Sequence, residues 1–292
     1  MKKATFSSRA PSPPFRLLLT MSLGIAMAGI SPRADAVAVD SELILLVDIG
    51  QGGLNNQQFN TLMDSYASAM TSSQVLDSIQ SGATGKIAVS LLFYGGTFSQ
   101  TSVGVPWMAI GNMAQAQQFA NLVQNVLRPF SISSPSISAA LDYATNHFGT
   151  ETGGPANGFE STAQILEVTV SSLPLFPNPS ADKAARNDAI ASGVDIINSI
   201  ALGNRSSTIS NYFASNVIGG EVGGVEATST RSSVNNSLDD YLAGHLENTV
   251  EGGAVASQTA VPEPSSAAFA ISAVLLLLGR RRRGASPTTR RA

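Results

Sequence analysis

Residues 45–53 read LLVDIGQGG, an aliphatic run that stops at one carboxylate, Asp48, and then passes through Gly50, Gly52 and Gly53. The run begins at Leu43, and five consecutive aliphatic residues suit a strand buried on both faces of a parallel sheet. Beyond the glycines, Phe59, Leu62, Met63, Tyr66, Ala67 and Met70 recur at spacings of three and four, which gives a helix one apolar face. Asn55 or Asn56 is its expected N-cap. Strand, tight turn and helix in that order open a βα unit. The turn raises a second question, because a carboxylate followed by glycines at a strand end can hold a cation, cradle a phosphate or simply reverse the chain.

Working outward, the same grammar repeats. Lys86–Tyr94 (KIAVSLLFY) is a strand after the turn Gly82–Gly85, and Gln100–Val105 is a short edge strand that should stop before Pro106. Met113, Ala116, Phe119, Ala120, Val123 and Leu127 mark one helix, and Ile137, Ala140, Leu141 and Ala144 mark another. Gln164–Val170 and Val194–Ala201 are strands on either side of the Ala-rich helix Ala181–Ala191. A last helix carries Leu238, Tyr241, Leu242 and Leu246 on one face. Strands alternating with helices require crossover connections. The expected fold is therefore α/β, a doubly wound, mainly parallel sheet with helices on both faces, in one domain over residues 37–249. Residues 250–260, VEGGAVASQTA, are small and polar and read as a linker.

Both ends of the chain carry routing signals. Lys2, Lys3, Arg9 and Arg16 precede an apolar run from Leu17 to Ile30 and the small-residue triplet Ala34-Asp35-Ala36, so residues 1–36 read as a signal peptide cleaved to leave Val37 first. Fourteen residues interrupted by two glycines are shorter than the about twenty that a membrane-spanning helix needs. At the other end, Pro262, Glu263 and Pro264 precede an apolar stretch, Ala267–Leu278, and the cluster Arg280, Arg281, Arg282 and Arg283. Residues 261–283 resemble the PEP-CTERM sorting signal of exported Gram-negative proteins. That resemblance implies an exosortase-type processing enzyme as a partner and transient anchoring in the membrane through the apolar stretch. It also implies a destination in the envelope, at the cell surface or in the extracellular matrix. Four arginines after an apolar helix resist translocation, which would leave GASPTTRRA, residues 284–292, as a cytoplasmic tail.

The formal net charge of -3 conceals an asymmetry. Residues 37–260 hold six Lys or Arg against eighteen Asp or Glu, a net of -12, while the other eleven basic residues lie in the terminal segments. A domain this acidic lacks the basic footprint of a nucleic-acid binder. There is no cysteine, so an exported domain must rest on its core alone, and about 220 residues are ample for one.

The stretches GKIAVSLLFYGG (85–96), VPWMAI (105–110), SISAALDYA (136–144) and NYFASNVIGG (211–220), in this order, resemble an exported bacterial family of unknown function with a von Willebrand factor A-like domain, over nearly all of residues 41–249. Such domains commonly bind a divalent cation at the carboxyl ends of the strands, in a metal-ion-dependent adhesion site. The resemblance implies an Asp-x-Ser-x-Ser loop, a threonine from a later loop and an aspartate after a central strand. This chain keeps Asp48 but has Gly50 and Gly52 in place of the serines, Pro135 in place of the threonine and Ser171 in place of the second aspartate. A hard cation needs several well-placed oxygens. The expectation is a vestigial site with no cofactor, or at most weak Mg2+ or Ca2+ binding helped by Ser134, Ser136, Ser171 or Ser172. Pro135 also suits the first turn of a helix capped by Ser134.

Other chemistries find little support. Gly50-x-Gly52 after a strand matches a dinucleotide fingerprint at two glycines only, the third position being Asn55, and Gly82–Lys86 lacks phosphate-loop spacing. There is no Gly-x-Ser-x-Gly elbow. His147 and His245 both lie near apolar helix stripes, Trp107 reads as an anchor for an edge strand, and Asp239 and Asp240 as a solvated first turn. The expected function is a non-catalytic interaction or extracellular-matrix protein whose partner is an extracellular protein or polysaccharide. It would be recognised by loops near Gly50–Asn56, Ser131–Ser136 and Ser171–Ser180. The alternative is a nucleotide- or divalent-metal-binding enzyme using the glycine loop after the first strand.

Overall fold

A computed structural model describes residues 36–50, 52–95, 101–130, 135–235 and 237–259. Its elements in chain order are β1 (Val37–Ala38), β2 (Ser41–Asp48), α1 (Asn56–Met70), α2 (Ser73–Gln80), β3 (Ile87–Tyr94), β4 (Ser102–Ile110), α3 (Met113–Asn125) and α4 (Ile137–His147). They continue as β5 (Phe159–Glu160), β6 (Gln164–Val170), α5 (Pro179–Ala191), β7 (Ile196–Leu202), α6 (Ser206–Asn216), β8 (Gly219–Val222), β9 (Val225–Glu226), β10 (Ser229–Ser232) and α7 (Leu238–Thr259).

Every residue of β2 is buried, as its unbroken aliphatic run requires, because it lies in the middle of the sheet with helices on both sides. The strand order is β4-β3-β2-β6-β7-β8-β9, with β10 also pairing with β7. The β3-β2-β6-β7 core and the β7–β10 pair are parallel, whereas β4 and β8 pair antiparallel with their neighbours. Leu43, Leu45 and Val47 point to a core shared with α1, α2, α3 and α7. Ile44 and Leu46 point to a second core shared with α4, α5 and α6. The expected doubly wound α/β sheet is what the chain forms. Its strand order reverses between β2 and β6, the place where open sheets of this kind expose a crevice at their carboxyl ends.

Three expectations need correction. The edge strand does not stop before Pro106: β4 runs through it to Ile110, and the pairing of Val105 with Leu91 and of Met108 with Val89 puts Pro106 and Trp107 opposite Ser90 alone. A proline without an N–H is tolerated at such a bulge on an edge. The second correction concerns residues 250–259, which are not a linker but the second half of α7. Val250, Gly252, Gly253 and Ala254 are buried there, and a Cβ on Gly253 would sit 2.9 Å from Ser41 Cβ. The small residues serve close packing of the helix on the sheet rather than flexibility. Third, the helix at Ile137 does not use Ser134 and Pro135 as its start. It begins at Ile137 with Ser136 as an N-cap that makes no side-chain bond, and Asp182 of α5 accepts from Ser138 N (3.1 Å) in that role.

Among the described residues no helix is long and apolar enough to cross a membrane. Ala34, the apolar stretches Leu17–Ile30 and Ala267–Leu278, the Pro262-Glu263-Pro264 triplet and Arg280–Arg283 all lie outside the described residues, as does Ser134.

Candidate functional site at the carboxyl end of the sheet

The ends of β2 and β6 bring Asp48 and Ser171 together at the switch point. Asp48 is almost wholly buried. Its Oδ1 accepts from Gly50 N at 2.7 Å, and its Oδ2 accepts from Ser171 N (3.1 Å), Ser171 Oγ (3.1 Å), Ser172 N (2.9 Å) and Ser172 Oγ (2.9 Å). Burial pushes the carboxyl above its ordinary range, and these donors oppose that shift. Ser172, one position beyond the residue matched in sequence, is thus as much a part of the site as Ser171. The sequence offers Ser172 only as a helper for a cation; the turn after β6 makes it a donor to Asp48 instead.

The other positions matched in sequence interlock. A Cβ on Gly50 would lie 2.7 Å from Pro135 Cδ and 2.9 Å from Asp48 Oδ1, so the proline fills the space that a side chain at position 50 would need. Gly52 has a φ of 86°, a left-handed conformation that serine adopts only with strain. Gly53 approaches Ser171, whose Oγ would be 2.3 Å from an added Cβ. All five sequence positions, Asp48, Gly50, Gly52, Pro135 and Ser171, come together, but the donor set does not fit a hard divalent cation. The single carboxylate already accepts five hydrogen bonds, the two hydroxyls point their protons at it, and Gly50, Gly52 and Pro135 offer no side-chain oxygen. Among the described residues, no group of three or more His, Asp or Glu side chains is placed to hold a metal.

Two open clefts flank this knot. One, of about 510 Å3, is lined by Gly50, Gly52, Leu54, Asn56, Arg128, Pro129 and Phe130. The other, of about 290 Å3, is lined on one side by Pro135, Ser136 and Ser138 and on the other by Pro174, Leu175, Phe176 and Asp182. Asn55 caps α1 reciprocally with Gln58, so the first turn of that helix meets its hydrogen-bonding needs internally. Leu127, expected on a helix face, lies beyond the end of α3 and is 86% exposed. Arg128 next to it was not singled out by sequence, because one arginine in a loop carries no motif.

Neither histidine hydrogen-bonds to this cluster. His147, at the last turn of α4, stacks on Trp107 (5.3 Å between centroids, 14°), and Trp107 Nε1 donates to the His147 carbonyl (3.0 Å). The tryptophan is the edge-strand anchor expected of it. His147 Nε2 lies 3.0 Å from Ser90 Oγ, a serine–histidine pair with the wrong polarity for catalysis. Ser90 is fully buried and gives its one proton to the Val105 carbonyl (2.9 Å), so it accepts from the imidazole and leaves no base lone pair at that nitrogen. His245 bonds the buried Glu167 at 2.8 Å; burial disfavours its charged form, but the Glu167 carboxylate outweighs this and raises the imidazole above its ordinary value.

Residues 38–247 match the protein family described as "Protein of unknown function (DUF1194)". No curated protein matches the chain. Solved structures of similar outline include proximal thread matrix protein 1 from the mussel byssus, 12% identical, with a TM-score of 0.49 over 74% of this chain and 49% of that one. Another is the pilus adhesin SpaC from Lactobacillus rhamnosus GG, 11% identical, TM-score 0.47, covering 74% of this chain and 31% of that one. A third is a von Willebrand factor type A protein from Catenulispora acidiphila, 9% identical, TM-score 0.45, covering 74% and 43%. The chain spans less than half the length of each, and likeness at this level says nothing about ligands.

Proposed function

Because the chain belongs to the DUF1194 family, whose description names no activity, we propose from the geometry that it is an exported, non-catalytic recognition domain that works without a metal ion. Its binding surface is the rim at the carboxyl end of the sheet. The observation that carries this reading is the distribution of exposed apolar side chains. Leu127, Phe130, Leu175 and Phe176 are between 76% and 86% exposed, whereas no other large apolar residue among those described exceeds 47%. All four lie in the loops around Asp48, and clustered apolar exposure at the crevice of an open sheet marks an interaction site.

The direction of the chain supports the same reading. α7 descends from the rim and ends at the opposite side of the sheet, where Ser257 Oγ accepts from Ala83 N (3.2 Å) beside the start of β3. A tail anchored through residues 261–283 would then leave the domain some 25 Å from the rim, the length of an eight-residue strand, with the recognition loops facing away from the anchor. The partner is an extracellular protein or polysaccharide. Retention of the full chain on an extracellular-matrix preparation should fall at least about tenfold in the double variant Leu127→Asp, Phe176→Asp and be indifferent to EDTA. Retention that survives the double variant, or that EDTA abolishes, refutes the reading.

A further inference from the structure

Resting on the rim as the recognition surface, we propose that the cleft beside Gly50 and Gly52 is a carboxylate-binding subsite with Arg128 as its cation. Its ligand is an Asp or Glu side chain in an extended peptide segment whose neighbours are apolar. In a domain with six basic and eighteen acidic residues, every arginine has carboxylates to choose from. Yet among the described residues the only charged pair within salt-bridge distance is His245–Glu167, so Arg128 has no carboxylate partner there.

Arg128 is nevertheless held in place. Its guanidinium stands over the Phe59 ring at 5.9 Å, Nη1 donates to Asn56 Oδ1 (3.2 Å), and Nη2 donates to the Ile49 carbonyl (3.3 Å). Neutral acceptors fix the fork without cancelling its charge, and they use two of the five N–H donors a guanidinium carries. A cation pre-positioned in this way loses little freedom when a carboxylate arrives, and the matching geometry of the two groups favours that anion. Asp48 does not compete, since its oxygens are engaged by Gly50, Ser171 and Ser172. The remaining walls, Leu54, Pro129 and the exposed Phe130, are apolar and suit the side chains on either side of the acid. A polyuronate would bring one negative charge per sugar to a domain of net charge -12, and repulsion over the Debye length of about 10 Å favours a single carboxylate in an otherwise apolar peptide.

The test measures binding of the full chain to acetyl-Leu-Glu-Phe-amide and to its Gln counterpart by calorimetry. The Glu peptide should bind at least about tenfold more tightly, and the preference should shrink as NaCl rises from about 50 to about 500 mM. Arg128→Gln should erase the preference, Arg128→Lys should keep part of it, and Arg128→Glu should transfer it to acetyl-Leu-Lys-Phe-amide. If Arg128→Gln melts, the Lys and Glu variants decide. Equal binding of the Glu and Gln peptides, lost together in Phe130→Ala, overturns the carboxylate subsite and leaves the rim standing. Binding of neither peptide overturns the subsite, while matrix retention still reports on the rim independently. Tighter binding of trigalacturonate or ATP than of the Glu peptide overturns the choice of ligand.

Discussion

A buried carboxylate is stable only when donors surround it, and Asp48 collects five from Gly50, Ser171 and Ser172. Replacing one of its oxygens by an amide nitrogen turns donors against a donor. Asp48→Asn should therefore lower stability by about 3 kcal/mol in denaturant unfolding, and a loss under about 1 kcal/mol would mean that the network is not structural. Glu42, also buried, behaves differently. Its Oε2 accepts from Asn157 (3.0 Å), its Oε1 has no hydrogen-bond partner among the described residues, and burial with Glu151 and Glu160 nearby pushes its carboxyl up to about 8. The unfolded chain releases this proton near the ordinary carboxylate value of 4.5 and the folded chain near 8, so the unfolded state is the more ionised between those limits. Stability should fall as pH rises through that window. Glu42→Gln should flatten the slope and gain about 1–3 kcal/mol at pH 8, as melting curves across pH would record. Asp48 was legible from its place at the end of an aliphatic run. Glu42 was not, because a glutamate inside a strand shows nothing of the two other carboxylates that the fold places near it.

Elements differ in how plainly their boundaries can be read. The strand Gln164–Val170 stands where spacing puts it, and the α1 cap is Asn55, the first of the two candidates that capping chemistry offers. α2 and α6 are short and carry no long stripe, and β8 to β10 are two to four residues each, too short for periodicity to register. α7 is the instructive case, since VEGGAVASQTA has the composition of a linker and the role of a packed helix. Its glycines touch Val222 and Ser41, and no local signal distinguishes a glycine chosen for close approach from one chosen for freedom. A chain ended at Thr249 should fail to fold cooperatively, whereas one ended at Ala260 should melt as a single transition in calorimetry. Equal melting temperatures for the two would restore the linker.

At the scale of the molecule, the sheet separates two ends of different character. The carboxyl end gathers the four most exposed apolar residues among those described, Arg128 and the closed Asp48 knot, and the amino end receives the last turn of α7. If the tail directs sorting, mass spectrometry of the mature surface protein should find no peptide from Ala267 onward. Recovery of GASPTTRRA peptides from the cell surface would rule that processing out.

What the sequence determined by itself is the class of fold and the residue types at the end of its long central strand, one carboxylate followed by glycines, since both depend on local pattern: aliphatic runs, helical stripes and the identity of a few residues. What only the tertiary structure decided is how those residues satisfy one another. Pro135 comes to fill the space over Gly50, Ser172 joins Ser171 in satisfying Asp48, and Arg128 faces the neighbouring cleft from a loop some eighty residues away in the chain. These contacts depend on which strand ends meet at the switch point, a long-range consequence of sheet order that no window of neighbouring residues contains.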